Sequence, residues 1–300
     1  MRTAPSRFRG PPPRSVSPAF VLLVGLLASP LGACKSGPKP TPMDRGVAPE
    51  FASSAERYNA VVAAYDHLWS PVALRIKSPD PETGKLVEEL LDGHLQAVTP
   101  DRVALRIDKL SETYAYLGCD SERYWWIDIK AAIAIVGTHV NATPESLARF
   151  ELPVQPLDLV ELLGIMPMDP AGYGATRWST DGKRLGLLTR SRSGNRLVWV
   201  DPATFEPREI ELTDSEGRVT ITSVLTRPER IPIDGDPGSK VRIPTNHEIR
   251  FAESDMTIVV RLQGPENRRN RVRAQAFDIE GVMRTYGVRE ILDADAPPDQ

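Results

Sequence analysis

The chain has 300 residues, a formal net charge of −3, 41% hydrophobic and 26% charged residues, a globular composition with room for one large domain or two small ones. Four arginines and no acid precede Cys34, so the chain from Cys34 onward carries 33 basic against 40 acidic residues, a balance of −7. That balance argues against nucleic acid as a partner, because phosphate neutralisation needs a basic surface. It argues equally against attachment to anionic lipid by charge alone.

Residues 1–33 have the build of a secretory signal. Arg2, Arg7, Arg9 and Arg14 precede the apolar run 19–29, AFVLLVGLLAS. A bilayer span takes about 20 residues, so this run is too short to cross. Leu31-Gly32-Ala33-Cys34 resembles the lipobox of bacterial lipoprotein signals, with an aliphatic residue three before the cysteine and a small one just before it. The resemblance implies cleavage before Cys34, acylation of its thiol and membrane attachment through the N-terminal lipid. Lys35 stands where an aspartate marks retention at the inner membrane, so the implied address is the outer membrane, facing the periplasm. With Cys34 acylated, Cys119 has no intramolecular disulfide partner and reads as a small buried hydrophobe. Residues 34–50 form a Pro-rich tether, residues 51–292 the folded domain, and residues 293–300 a polar, disordered tail.

The first expected element is a helix over Ser53–Trp69. Ser53 and Glu56 suit a capping box, Pro71 a stop, and Tyr58, Val61, Val62, Tyr65 and Trp69 make one apolar stripe. Strands follow around Val72–Ile76 and Lys85–Val98. The second has ambiguous periodicity and reads as a strand bulged at Asp92-Gly93. A strand at Val103–Ile107 leads through the turn Lys109–Glu112 into the hairpin Thr113–Lys130. There Ala115, Leu117 and Cys119 alternate with Tyr114, Tyr116 and Gly118, and Trp125, Ile127 and Ile129 with Tyr124, Trp126 and Asp128. The apolar run after Lys130 is a buried strand or entry segment. Thr143-Pro144 and Gln155-Pro156 both read as helix starts. The second helix, PLDLVELLG, is apolar over most of its circumference, with Gly164 placed for its C-cap. Such a helix must be buried on several sides and plugs something concave. From Ala175 strands recur: Ala175–Ser179, Arg184–Arg190, Arg196–Asp201, Arg208–Thr213, Val219–Leu225, Lys240–Phe251, Met256–Leu262 and Arg273–Ile279, with a loop at Pro228–Ser239.

This order predicts a mainly β, α+β fold. Its core is a strongly curved antiparallel sheet, or unclosed β-barrel, with the N-terminal helix and the central helical insert covering the concave face. Two β-domains divided at the insert are the alternative. Trp125, Ile127 and Ile129 are expected to face the first helix and the insert.

Residues in this order resemble a known superfamily. They are Leu68-Trp69, Gly93-His94-Leu95, Pro100-Asp101-Arg102-Val103-Ala104-Leu105, Leu117-Gly118-Cys119-Asp120, Tyr124-Trp125-Trp126, PLDLVELLG, Val200-Asp201-Pro202 and Asp214-Ser215-Glu216-Gly217-Arg218-Val219. Over about residues 54–262 the pattern is similar to the LolA/LolB superfamily of bacterial envelope lipoprotein carriers and receptors. The resemblance implies a non-catalytic protein that takes a lipid or a lipoprotein acyl chain into an apolar cavity. Candidate lining residues are Tyr65, Trp69, Leu117, Trp125, Ile127, Leu159 and Leu163. It also implies an exposed loop leucine for membrane transfer, for which Leu110 is the nearest candidate. The alternative function is a structural or sensory envelope lipoprotein with a filled core and a protein partner that the sequence does not name.

No residues here spell chemistry. His67, His94, His139 and His247 lack metal-ligand spacing, and no nucleophile elbow, phosphate loop or dinucleotide fingerprint is present. Asp120, Glu122 and Asp128 fall in a turn and at a strand end, where acids are usually solvated. No enzyme activity, metal or cofactor is therefore expected.

Overall fold

A computed structural model describes residues 45–80, 83–143, 155–191 and 194–296, without the side chains of Tyr65 and Pro237. The signal segment, the lipobox with Cys34, and Pro144 of the first insert helix lie outside the described residues.

Among the described residues fifteen strands form one sheet. The first half is a meander of β1 (His67–Pro79), β2 (Leu86–Val98), β3 (Arg102–Lys109), β4 (Glu112–Cys119), β5 (Arg123–Asp128) and β6 (Ile133–Thr138). The second comprises β7 (Gly174–Trp178), β8 (Leu185–Arg190), β9 (Asn195–Val200), β10 (Pro207–Thr213), β11 (Val219–Ile233), β12 (Asp236–Phe251) and β13 (Thr257–Leu262). The short β14 (Glu266–Asn267) adds to β1, and β15 (Glu290–Asp293) runs parallel to β6. The two meanders join where β1 pairs β13, with Leu74 opposite Val260. The order is β15-β6-β5-β4-β3-β2-β1-β13-β12-β11-β10-β9-β8-β7, and the sheet is not closed.

This order forces the insert across a face. β6 lies beside one edge strand and β7 forms the other edge, so residues 139–173 must span the sheet. They carry α2 (Pro156–Leu162), which packs against β3, β4 and β5 on one side and β10 on the other. Six strand spacings separate β3 from β10, about 29 Å in a flat sheet, whereas a seven-residue helix is about 10 Å long. A helix that touches both requires a strongly curled sheet, and the accumulated twist of so many strands supplies the curl.

Two apolar clusters result. The main core gathers Tyr58 and Val62 of α1 (Phe51–Val62), α2, and inward residues such as Leu68, Leu95, Leu117, Leu187, Ile210 and Ile243. A second cluster on the opposite face joins Tyr116, Trp125, Ile127 and Ala134 to Phe277, Ile279 and Val282. The last two belong to α3 (Ile279–Tyr286), which Asp278 caps by accepting from Gly281 N–H.

Several local expectations are corrected. The first helix ends at Val62, and after one 3₁₀ turn His67–Trp69 already belong to β1. The unbroken ladder from His67 opposite Val98 to Pro79 opposite Leu86 overrides the helical periodicity. Pro71 fits within β1 because its C=O accepts from Gln263 N–H at 2.9 Å. Its missing N–H faces that same side, in the gap between the end of β13 and the start of β14. Glu50, not Ser53, is the N-cap, and the Ser53 hydroxyl donates to Glu50 O. β2 carries no bulge at Gly93. Instead a Cβ there would lie 2.0 Å from Arg106 O, so glycine permits a close approach of β3. The loop expected at 228–239 is the tip of the long β11–β12 hairpin, turning at Asp234-Gly235. The strand expected at Arg273–Ile279 is instead a 3₁₀ turn leading into α3. The tail starts later than expected: Asp293 ends β15, Ala294 is buried, and Asp295 accepts from the Thr138 hydroxyl and N–H.

Candidate functional site

The concave face and its helical plug form the candidate site. Gln155 caps α2, and its backbone N–H donates to Asp158 in the first turn. Gly164 ends the helix at φ 73°, where Gly164 N–H reaches Glu161 O and Ile165 N–H reaches Val160 O, a Schellman closure. A Cβ at Gly164 would meet Leu225 and Pro207, so the end of the plug presses on β10 and β11. Leu157, Leu159, Val160, Leu162 and Leu163 are all buried, as expected for a helix apolar over most of its circumference.

The segment leaving α2 is latched at its backbone. The Tyr58 hydroxyl donates to Gly164 O and Met166 O at 3.2 and 3.1 Å. Asn59 pairs with both backbone groups of Met168, at 2.7 and 2.8 Å. Arg196 of β9 donates to Met166 O and Pro167 O at 3.2 and 2.9 Å. Arg196 is buried, and these carbonyls take its terminal N–H groups where water cannot, while its Nε is without a partner among the described residues. Glu161 is buried beneath the latch and accepts from Ser191. Burial pushes the Tyr58 hydroxyl up to about 12, with Arg196 pulling it down and Glu161 pushing it up further. Tyr58 therefore stays a donor across the physiological range.

Of the residues expected to line a cavity, Leu117, Leu159 and Leu163 do lie in the main core beneath α1 and α2. Trp125 and Ile127 do not. They point to the opposite face and are covered by α3, while Tyr124, Trp126 and Leu117 point inward. Trp69 also faces outward, alternating with inward Leu68, with the Arg271 guanidinium 3.8 Å from its ring centre and the His94 ring tilted against it at 5.9 Å. The Tyr65 side chain lies outside the described residues. Cys119 is buried, with Sγ 3.4 Å from Asp101 O. Among the described residues no three His, Cys, Asp or Glu side chains gather as a metal site. Sequence reasoning missed Asn59, Arg196 and Glu161. Only a charged side chain in the otherwise apolar strand RLVWV hinted at Arg196.

Leu110 occupies the first position of the β3–β4 turn with φ 53°, followed by Ser111 at φ 69°. Its side chain is 94% exposed, and Leu90 and Leu86 are also exposed. Clefts open on the surface. One of about 520 Å³ lies between α1 and the β11–β12 arm. Another, about 470 Å³, is bordered by Asp101, Asp120, Glu122 and Asp278. Neither is lined by Leu117, Leu159 or Leu163; in this conformation α2 fills the concave face.

No protein-family model matches the chain, and no curated protein matches it by sequence. Solved structures do. A domain described as an outer membrane lipoprotein-sorting protein from Vibrio parahaemolyticus aligns at a TM-score of 0.52 and 10% identity, covering 77% of this chain and 97% of that one. A DUF1329 family protein from Desulfovibrio piger aligns at 0.51 and 10% identity, covering 73% and 93%. A LolA superfamily protein from Nitrosomonas europaea aligns at 0.49 and 19% identity, covering 73% and 93%. The fold, an unclosed curved sheet with helices, is shared with the Vibrio parahaemolyticus and Desulfovibrio piger structures.

Proposed function

We propose that this chain is a lipid-anchored envelope protein, held at the outer membrane through acylated Cys34, that takes a lipid or a lipoprotein acyl chain onto its concave face when α2 unlatches. The observation that carries this reading is the plug itself: a helix apolar over most of its circumference fills the interior of a LolA-like sheet, and hydrogen bonds from the side chains of Tyr58, Asn59 and Arg196 to backbone carbonyls hold its exit. An acyl chain that replaced α2 would bury comparable apolar surface, worth about 25 cal/mol per Å². Sequestration needs no catalytic step. Leu110 supports membrane transfer. A left-handed backbone costs a non-glycine residue about 1–2 kcal/mol, and its exposed side chain recovers nothing by packing, so contact with lipid would account for it.

Native mass spectrometry of the full-length chain, purified from a bacterial envelope, tests the reading. Lipid is expected to co-purify or to pass to the chain from a loaded donor. If neither occurs, the filled concave face favours the second reading, a structural or sensory lipoprotein that binds protein. The anchor is tested separately: Cys34→Ala is expected to abolish acyl labelling, and labelling that persisted would remove Cys34 as the anchor.

A further inference from the structure

We propose that the cleft between α1 and the β11–β12 arm binds an anionic amphiphile, with a phosphate-bearing head on Arg230, Lys240 and Arg242 and an apolar chain against Ala60, Val61 and Ala64. At about 520 Å³ the cleft has the size of a small-molecule site. Its basic side chains stand in a placement that folding alone disfavours. Arg230 lies directly opposite Arg242 in the β11–β12 ladder, with Lys240 opposite Pro232 two pairs further on. Like charges opposed across a ladder repel. One carboxylate in the cleft, Glu206, offsets only part of this. It lies 3.4 Å from Arg242 and is shared with Arg208 at 3.1 Å. Neither Arg230 nor Lys240 has an ion pair among the described residues. A local cationic excess in a chain of net negative charge calls for an anion. Two guanidinium forks beside an ammonium suit phosphate oxygens. The α1 wall is apolar: Val61 and Ala64 are partly buried and pack on the main core, as does Ile233 at the end of β11. A free anion would leave that wall unused, whereas an amphiphile uses both sides.

This site goes beyond the acyl-chain reading, because it is open while α2 is latched. Calorimetric titration of the full-length chain with inorganic phosphate, dihexanoyl phosphatidylglycerol and dihexanoylglycerol tests it. Phosphatidylglycerol is expected to bind about tenfold or more tighter than either of the others. Arg230→Ala/Lys240→Ala is expected to weaken phosphate and phosphatidylglycerol by about tenfold or more, and Arg230→Lys alone by less. Val61→Asn is expected to weaken only the lipid. Equal affinity for phosphate and phosphatidylglycerol would reject the amphiphile. Unchanged lipid binding in the double variant, with thermal unfolding intact, would reject the site. Uptake of a neutral acyl probe in that same variant is expected to be unchanged, so this proposal and the acyl-chain reading fail separately.

Discussion

His247 sits on β12 with no exposed surface, facing a core that offers its ring one partner. Its Nε2 lies 3.1 Å from Pro244 O, a group that only accepts, so Nε2 carries the proton and Nδ1 is left without a partner among the described residues. Burial pulls the imidazole down to about 4 from 6.5, the Pro244 bond opposing. The unfolded chain therefore binds the extra proton first. As pH falls from about 6.5 towards 4 the folded state loses stability, on the order of 3 kcal/mol in all from this group. His247→Leu is expected to flatten that part of the profile. Urea midpoints at pH 7 and pH 4.5 should lie closer together in the variant than in the parent chain, and equal separations would show that His247 is not the group responsible. Gly93 makes a second residue-scale case. The residue type was legible, but its cause was not: the sequence suggested a bulge, and the structure shows a steric requirement imposed by a strand that only the fold brings close. Gly93→Ala is expected to cost about 1–3 kcal/mol by denaturant unfolding, as overpacking does.

At the scale of elements, strand alternation and the apolarity of PLDLVELLG over most of its circumference could be read directly, because both report on burial that any fold must satisfy. The orientation of the central hairpin could not. Both of its faces are aromatic, and the choice rests on α3. Ile279, Val282, Met283 and Tyr286 do recur at helical spacing, but the helix is only eight residues long. It is marginal without the sheet it covers, so its sequence signal is weak. Once α3 takes Trp125 and Ile127, Tyr124 and Trp126 must turn inward. The latch was illegible for a different reason: Tyr58, Asn59 and Arg196 act on backbone groups more than 25 residues away in sequence, and backbone acceptors carry no side-chain signature. Tyr58→Phe removes the donor from two carbonyls and is expected to cost about 1–2 kcal/mol locally. Amide exchange at Met168, whose N–H is held by Asn59, should then speed up roughly tenfold, ahead of any exchange that reports global unfolding. A uniform acceleration across β1–β6 would mean that the segment is part of the core and not a separable latch.

For the whole molecule, the consequence of the strand order is a sheet with two independently covered faces. In the connection between β6 and β7, α2 fills the concave side. The chain after β13 returns over the convex side, lays α3 on Trp125 and Ile127, and ends as β15 alongside β6. The proposed acyl uptake belongs to the first face and the C-terminal strap to the second, so damage to the strap should lower stability without changing uptake. Ile279→Ala provides the test. Ile279 is 1% exposed within the convex cluster, and truncating a buried isoleucine costs about 2–5 kcal/mol. Acyl transfer from a loaded donor, measured well below the lowered melting temperature, is expected to match that of the parent chain. If transfer falls in step with stability, the sheet couples its two faces, and the convex cluster would have to be counted as part of the binding device.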